Sequence, residues 1–478
     1  MRHRDWIGIL AILMNLQLAV GEELQIQPLT DDELSVLQSI QESHILETVS
    51  YLASDAMNGR DTPSKELEAA SGYVTERLRA AGLEGLGPEA SFLQPAELNQ
   101  TLAPESTASL RIGSADVVPL TVLTGTRETI TVTGIVHNSA TNGNSSGVES
   151  GKSIVSMDEI LLPPQAVDNP GTALIAYLRQ TAPLVRNGAK VVLVRVEPTS
   201  VLFDVAMSLR ENPVTIPPPF EPRCAILLVP KTQPLDGEVS LEIPANVQKA
   251  TLVHNVIGVL RGSDADLSKQ AVLISAHLDH IGLAVRGVDK VNNGADDNAS
   301  GVTGVLFLAD ACAALKQRPK RSIVFMTFWG EEKGLLGSKY FVENPLWDLE
   351  SIVCNINLEM IGRPEVHAEG NAWGTGWSHS SLGPQMAAGA IRTGVSIFEH
   401  HKFSETLYTR SDNASFVAKG VIAHSFSAGS LHNDYHQPTD EVGKLNIPHM
   451  TKVIQGLLAG MLPIARGELT PAAVPLAK

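Results

Sequence analysis

The chain has 478 residues, 43% apolar and 18% charged, a balance that supports a large buried core and excludes a disordered or coiled-coil protein. Its 52 acidic residues against 36 Lys and Arg give a formal net charge of −16. With no basic stripe interleaved with aromatics to offset that charge, the composition argues against a nucleic-acid partner.

In chain order, Arg2 and Arg4 precede an apolar run from Trp6 to Val20 that ends in small residues before Glu22. This pattern reads as a secretory signal peptide over 1–21, with an uncleaved anchor as the alternative. No later segment is apolar enough to span a bilayer, so the protein is expected to be secreted or periplasmic with no further membrane contact. Three cysteines are too few for a disulfide framework; Cys312 and Cys354 are expected to be buried thiols, with a bridge between them as the alternative, and Cys224 has no obvious partner.

His44–Ser54 and Ser64–Ala81 read as helices, the second with Leu67, Ala70, Val74 and Leu78 on one face and Gly82 as its stop. From about 105 to 245 the texture becomes β-rich, with Thr129–Val136 and Lys190–Val196 as strands and one helix near Leu174–Val185. Five prolines between Pro213 and Pro222 forbid regular structure there. The expected division is a signal peptide at 1–21, an N-terminal helical part at 22–104, a separate inserted domain at 105–245 and a catalytic region at 246–478.

From residue 250 onward, strands and helices alternate. Val272–Ala276, Ser322–Trp329, Ile352–Leu358 and Val421–Ser427 are short apolar runs suited to strands buried on both faces, and Gly301–Leu315 has helical spacing. The fold class is therefore α/β, with a mixed, mostly parallel central sheet flanked by helices. Each buried strand runs into a polar cluster: His277-Leu278-Asp279-His280, Glu331-Glu332 after Trp329-Gly330, and Glu359. The loop Asn293–Gly301 (NGADDNASG) and the segment Leu431–Glu441 (LHNDYHQPTDE) join them. Ligands in such sheets bind beyond the carboxyl ends of the strands. Singly, each cluster has a structural explanation, and Asp296-Asp297 could simply cap a helix. Together, imidazoles and carboxylates converging on one sheet edge call for cations, and this ligand set suits zinc.

With Tyr51-Leu-Ala-Ser-Asp, Asn58-Gly-Arg and Asn255-Val-Ile-Gly-Val-Leu added in order, the sequence resembles the secreted di-zinc aminopeptidase family of the aminopeptidase Y type, with an inserted protease-associated domain. The resemblance implies two zinc ions bridged by Asp297, one held also by His277 and Glu359, the other by Glu332 and His436. It implies Glu331 as general base toward the metal-activated water and Tyr435 as hydrogen-bond donor to the tetrahedral oxyanion. Asp279 would orient the site from behind His277, and Asp440 would do similar work near His436; a plain loop hydrogen bond is the alternative for both. Family members usually carry Asp where this chain has Glu359, whose extra methylene moves the carboxylate outward. The function implied is removal of N-terminal residues from peptides with a free N-terminus. The alternatives are glutaminyl cyclisation or another amidohydrolase chemistry on the same fold, or a binding ectodomain without catalysis.

Overall fold

Four apolar runs with no solvent-facing side set the frame, because a strand that is apolar on both faces must be covered by helices on both. The computed structural model describes residues 26–102, 108–117, 119–138, 153–160, 170–197, 199–211, 224–285, 287–366 and 368–474. The leader expected at 1–21 and the proline-rich stretch 213–222 lie outside them.

The large sheet has nine strands: β1 (Glu84–Gly85), β2 (Leu93–Leu102), β3 (Val247–Leu260), β4 (Ala271–His277), β5 (Ser322–Phe328), β6 (Ile352–Leu358), β7 (Ala372–Gly374), β8 (Ile397–Glu399) and β9 (Ala423–Ser427). They are ordered β1-β3-β5-β4-β6-β9-β7-β8, with β2 also paired to β3. The four central strands β5, β4, β6 and β9 run parallel, so their carboxyl ends share one edge. The fold is thus mixed α/β with a mostly parallel central sheet. Helices Gly301–Ala314 and Ile447–Ala465 are almost wholly buried, since helices pressed against such a sheet by an outer layer have no face left for water. Helices Glu42–Leu52 and Lys65–Ala80 lie within two residues of the expected ranges. Helix Asp31–Ser39 was not anticipated, although Thr30 and Glu33 form a capping box that the sequence already spells.

β2 and β3 pair antiparallel over ten residues, from Val247 opposite Leu102 to Val256 opposite Leu93. The chain therefore leaves the large sheet and returns to it at the same place. Between the two strands, Thr121–Thr124, Ala225–Pro230, Val191–Val196, Ile154–Asp158 and His137–Asn138 form a five-stranded sheet, and Ala115–Val117, Ser109–Ile112, Glu238–Ile243 and Ile130–Ile135 a four-stranded one. Helix Pro170–Arg186 accompanies them, together with a second helix, Val201–Glu211, where the sequence pattern was read as holding only the one near Leu174–Val185. One outside residue enters the apolar cluster of these elements: Val285, from the segment between His280 and Asn293.

Cys224, Cys312 and Cys354 are unpaired and buried, and burial pushes their thiols up to about 11, 12 and 12. No helix among the described residues is long and apolar enough to cross a membrane.

Ile274, fully buried in the central strand β4, probes how rigidly the sheet is packed. Ile274→Ala should lower the unfolding free energy by about 2–5 kcal/mol, read by urea denaturation. A loss well below 1 kcal/mol would mean that the flanking helices close the cavity.

Candidate metal centre

His277 is the last residue of β4, Glu331 and Glu332 follow β5 by three and four residues, and Glu359 follows β6 directly. Asp297 lies on a wide turn that feeds helix Gly301–Ala314, and His436 on the long segment after β9. His436 has φ +58°, a left-handed conformation that His tolerates better than bulkier residues and that is common where a side chain must be aimed.

The donor atoms fall into two groups that share Asp297. In one, His277 Nε2 lies 3.3 Å from both Asp297 Oδ1 and Glu359 Oε1. In the other, His436 Nε2 is 3.1 Å from Asp297 Oδ2 and 3.2 Å from Glu332 Oε1. His280, which the sequence reading gave no role, joins the second group, with Nδ1 2.9 Å from Glu332 Oε1 and 3.8 Å from Asp297 Oδ2. Within each group the donor atoms all lie within 4.8 Å of one another.

Whether this arrangement suits cations can be judged from hydrogen bonding. Asp297 Oδ2 and His436 Nε2 are buried and close together, yet neither makes a properly directed hydrogen bond within the described residues. Buried polar atoms are rarely left in that state, and a cation between them satisfies both. The His277 ring faces its Nδ1 toward the main-chain carbonyl of Asp279 at 3.0 Å, so a proton on Nδ1 leaves the Nε2 lone pair free. The residues present therefore fit a two-metal centre of nitrogen and oxygen ligands.

The electrostatics agree. Burial opposes charge on His277, but Glu359, Glu331 and Asp297 hold its ring well above the ordinary imidazole value. Burial likewise works against charge on His436, yet the adjacent Asp297 and Glu332 carboxylates hold it up to about 10. Conversely, despite burial, His277 and His436 hold Asp297 well below the usual carboxylate range, and His280 and His436 keep Glu332 at about 2. Burial dominates at Glu331 and pushes its carboxyl well above the usual carboxylate range. Asp412, fully buried within electrostatic reach of His277, Asp279 and Glu359, rises to about 7 for the same reason.

The supporting hydrogen bonds differ in part from expectation. Asp279 meets the His277 ring through its main-chain carbonyl; its carboxylate accepts instead from the backbone N–H of Glu331 at 3.0 Å and from the Thr62 hydroxyl at 3.0 Å. Thr62 Oγ1 in turn accepts from the Gly330 N–H at 3.1 Å, which fixes the turn ahead of Glu331. The Asp440 carboxylate holds the backbone N–H groups of Asp296 and Asp297 rather than the ring of His436. Both substitute backbone for imidazole for one reason: buried N–H groups in a tight loop need an acceptor as much as the ring needs orientation. Tyr435 stacks on His436 with ring centroids 3.9 Å apart and lines the cavity, and burial pushes its phenol up, so the hydroxyl keeps its proton.

Other side chains were missed because their partners are distant in sequence. The Asn298 amide clamps the residues on either side of Glu359, donating to Leu358 O at 2.9 Å and accepting from Met360 N at 3.1 Å. Ser411 donates to Glu359 Oε2 at 2.6 Å. The longer glutamate thus still meets His277 with one oxygen while its second is held. Arg60, 1% exposed, donates to the carbonyls of Leu278 at 3.0 Å, Asn293 at 2.8 Å and Gly294 at 3.1 Å, and also to that of Leu52. It ties the His277 loop to the Asp297 loop. Burial lowers its pKa to about 10, against the pull of Asp297, Asp279, Asp440 and Glu332, so it remains a cation behind the site. The Asn58-Gly-Arg motif was the available signal, without an indication of what Arg60 touches.

The cavity above these groups has a volume of about 150 Å³ and apolar walls that include Met360, Trp373, Leu407 and Leu431.

Residues 255–461 match the profile described as peptidase family M28. Among curated proteins, a vacuolar membrane protease of Clavispora lusitaniae is 23% identical over 205 residues, 43% of this chain and 18% of the relative. A probable leucine aminopeptidase 2 of Arthroderma benhamiae is 29% identical over 181 residues, 37% of this chain and 34% of the relative. The matches thus span between about a fifth and a third of these relatives' own length. A solved structure, a zinc aminopeptidase from Bacillus subtilis, shares the fold with a TM-score of 0.55 at 17% identity, over 88% of this chain and 94% of that one.

Arg60→Met should leave four buried carbonyls without their donor and lower the unfolding free energy by at least about 3 kcal/mol, measured by urea denaturation. A loss under 1 kcal/mol would show that water replaces the guanidinium.

Proposed function

We propose, for a chain whose residues 255–461 form a peptidase family M28 domain, that it is a zinc-dependent aminopeptidase removing N-terminal residues from peptides. The observation that carries this reading is the pair of donor groups sharing the Asp297 carboxylate. His277, Asp297 and Glu359 would hold one zinc ion, and Asp297, Glu332 and His436, with His280 beside them, the other. Zinc bound there supplies Lewis-acid polarisation of a carbonyl and lowers the pKa of water toward ~7.

The chain's own residues do the rest. Glu331, its backbone N–H held by the Asp279 carboxylate, accepts the proton of the attacking water and hands it to the leaving nitrogen. Tyr435, protonated and stacked on His436, donates its hydroxyl to the oxyanion of the tetrahedral intermediate. The carboxylates around the cavity create a negative field, which favours a free α-ammonium one residue from the scissile bond. The relatives named as aminopeptidases point the same way, as does the shared donor group, which a single-metal cyclase does not need.

The segment between β2 and β3 is read as a protease-associated type of insertion that bears on the cleft without supplying a ligand. Export rests on the leader pattern at 1–21, and N-terminal sequencing of secreted protein should begin at Glu22.

Metal analysis of purified protein should find two zinc ions per chain, with activity lost on chelation and restored by zinc. Glu331→Gln should keep the metal and lower kcat by roughly 10² to 10⁴; near-normal turnover would remove it as the base.

Peptides with a free N-terminus should be shortened one residue at a time, while N-acetylated copies survive. Equal cleavage of both, or internal cuts, would overturn the aminopeptidase assignment, and formation of pyroglutamate without chain cleavage would replace it with a cyclase.

A further inference from the structure

Among the residues lining the cavity of His277, Asp297, Glu331 and Glu359, Arg410 alone is an arginine or lysine. Of the four carboxylates that line the cavity, three are engaged elsewhere: Glu332 with His280 and His436, Asp297 with His277 and His436, Glu359 with His277 and Ser411. Arg410 itself is exposed, and its guanidinium makes no hydrogen bond or ion pair with any described residue. Its backbone is nonetheless fixed. The Arg410 N–H donates to Leu407 O at 3.1 Å, and the next residue is the Ser411 that bonds Glu359.

A free guanidinium rooted one residue from the metal-site carboxylate network has a defined chemical preference. Its planar fork matches a carboxylate with two parallel hydrogen bonds. The rest of the cavity offers an anion no second guanidinium or ammonium, only the uncharged hydroxyls of Thr375, Ser411, Ser425, Ser427, Ser430 and Tyr435. Met360, Trp373, Leu407 and Leu431 are apolar, and Glu331, Glu332 and Glu359 repel a second negative charge. Whether an anionic substrate is repelled or accepted there is therefore decided by Arg410.

We infer that Arg410 forms a carboxylate-recognising subsite of this cavity, which engages an acidic side chain on the substrate's first residue or the C-terminal carboxylate of a dipeptide. The inference rests on the aminopeptidase reading and narrows its substrate class.

The test uses the full zinc-loaded protein and two matched substrate pairs, glutamyl against glutaminyl p-nitroanilide and Leu-Gly against its C-terminal amide. In one pair, Arg410→Gln should lower the carboxylate-to-neutral ratio of kcat/KM about tenfold, through KM, and Arg410→Lys should restore part of it. The pair that responds identifies the source of the carboxylate. A second readout needs no turnover: in metal-free protein, phenylglyoxal labelling of Arg410, mapped by mass spectrometry, should be slowed by glutamate or Leu-Gly more than by glutamine or the amide. Ratios unchanged in both pairs, or equal labelling with all four ligands, would overturn the role of Arg410 while leaving the aminopeptidase reading intact. If the unmodified protein hydrolyses neither member of either pair, the aminopeptidase reading itself fails, and this inference falls with it.

Discussion

Seven carboxylates, those of Asp279, Asp297, Glu331, Glu332, Glu359, Asp412 and Asp440, crowd one edge of a buried sheet, and the structure around them is organised by the need to balance that charge. Unpaired carboxylates in such a place cost several kcal/mol each or give up their charge. Compensation comes from every direction. Arg60 stands behind the site, bonded only to carbonyls, and Lys333 pairs with Asp61 at 2.8 Å next to Glu332. His277, His280 and His436 interleave with the acids. At Asp412 burial outweighs the pull of His277 and raises the carboxyl to about 7. The proposed pair of divalent cations would complete the balance at the point where Asp297 and His436 approach without hydrogen bonding.

The parallel core makes this convergence possible. β5, β4, β6 and β9 deliver their carboxyl ends to one edge, so Glu331, His277 and Glu359 arrive from three strands without any loop having to reach far. The remaining groups come on loops, and those loops are held by side-chain hydrogen bonds, most of them to backbone groups, as well as by packing of Leu278, Ala295 and Ala299 into the core. Asp440 holds the Asp297 turn, Asn298 brackets Glu359, and Asp279 with Thr62 fixes the approach to Glu331. A site whose side chains must be aimed to within a fraction of an ångström needs such support, because each misdirected ligand weakens the whole centre.

The β2–β3 ribbon explains how some 140 residues can be interpolated without disturbing this arrangement. Entry and exit lie side by side, so the sheets between them add little strain to the large sheet. Contact is made at Val285, whose segment joins the His280 and Asn293 ends of the centre.

The sequence by itself determined the elements with strong patterns. The strands at 271–277, 322–328 and 352–358 and the helix from Gly301 were legible because a strand buried on both faces leaves a continuous apolar run. The His and Glu residues ending those runs were legible because the runs hold no other Asp, Glu, His, Lys or Arg, their interior polar positions being Ser275, Thr327, Asn355 and Asn357. Helix Val201–Glu211 was not anticipated, although Leu202, Val205, Ala206 and Leu209 recur at helical spacing and form its buried face. Only the tertiary structure decided that His280 stands with Glu332, that Arg60 links the His277 and Asp297 loops, that Ser411 holds Glu359, and that Asp279 and Asp440 serve backbone N–H groups instead of imidazoles. Each of those contacts joins residues separated by between 52 and 234 positions or depends on which atom of a residue faces inward. Local sequence fixes which side chains are available and where strands end; which of them meet is settled by the order of strands in the sheet and the path of the loops, and these follow from packing the whole chain at once.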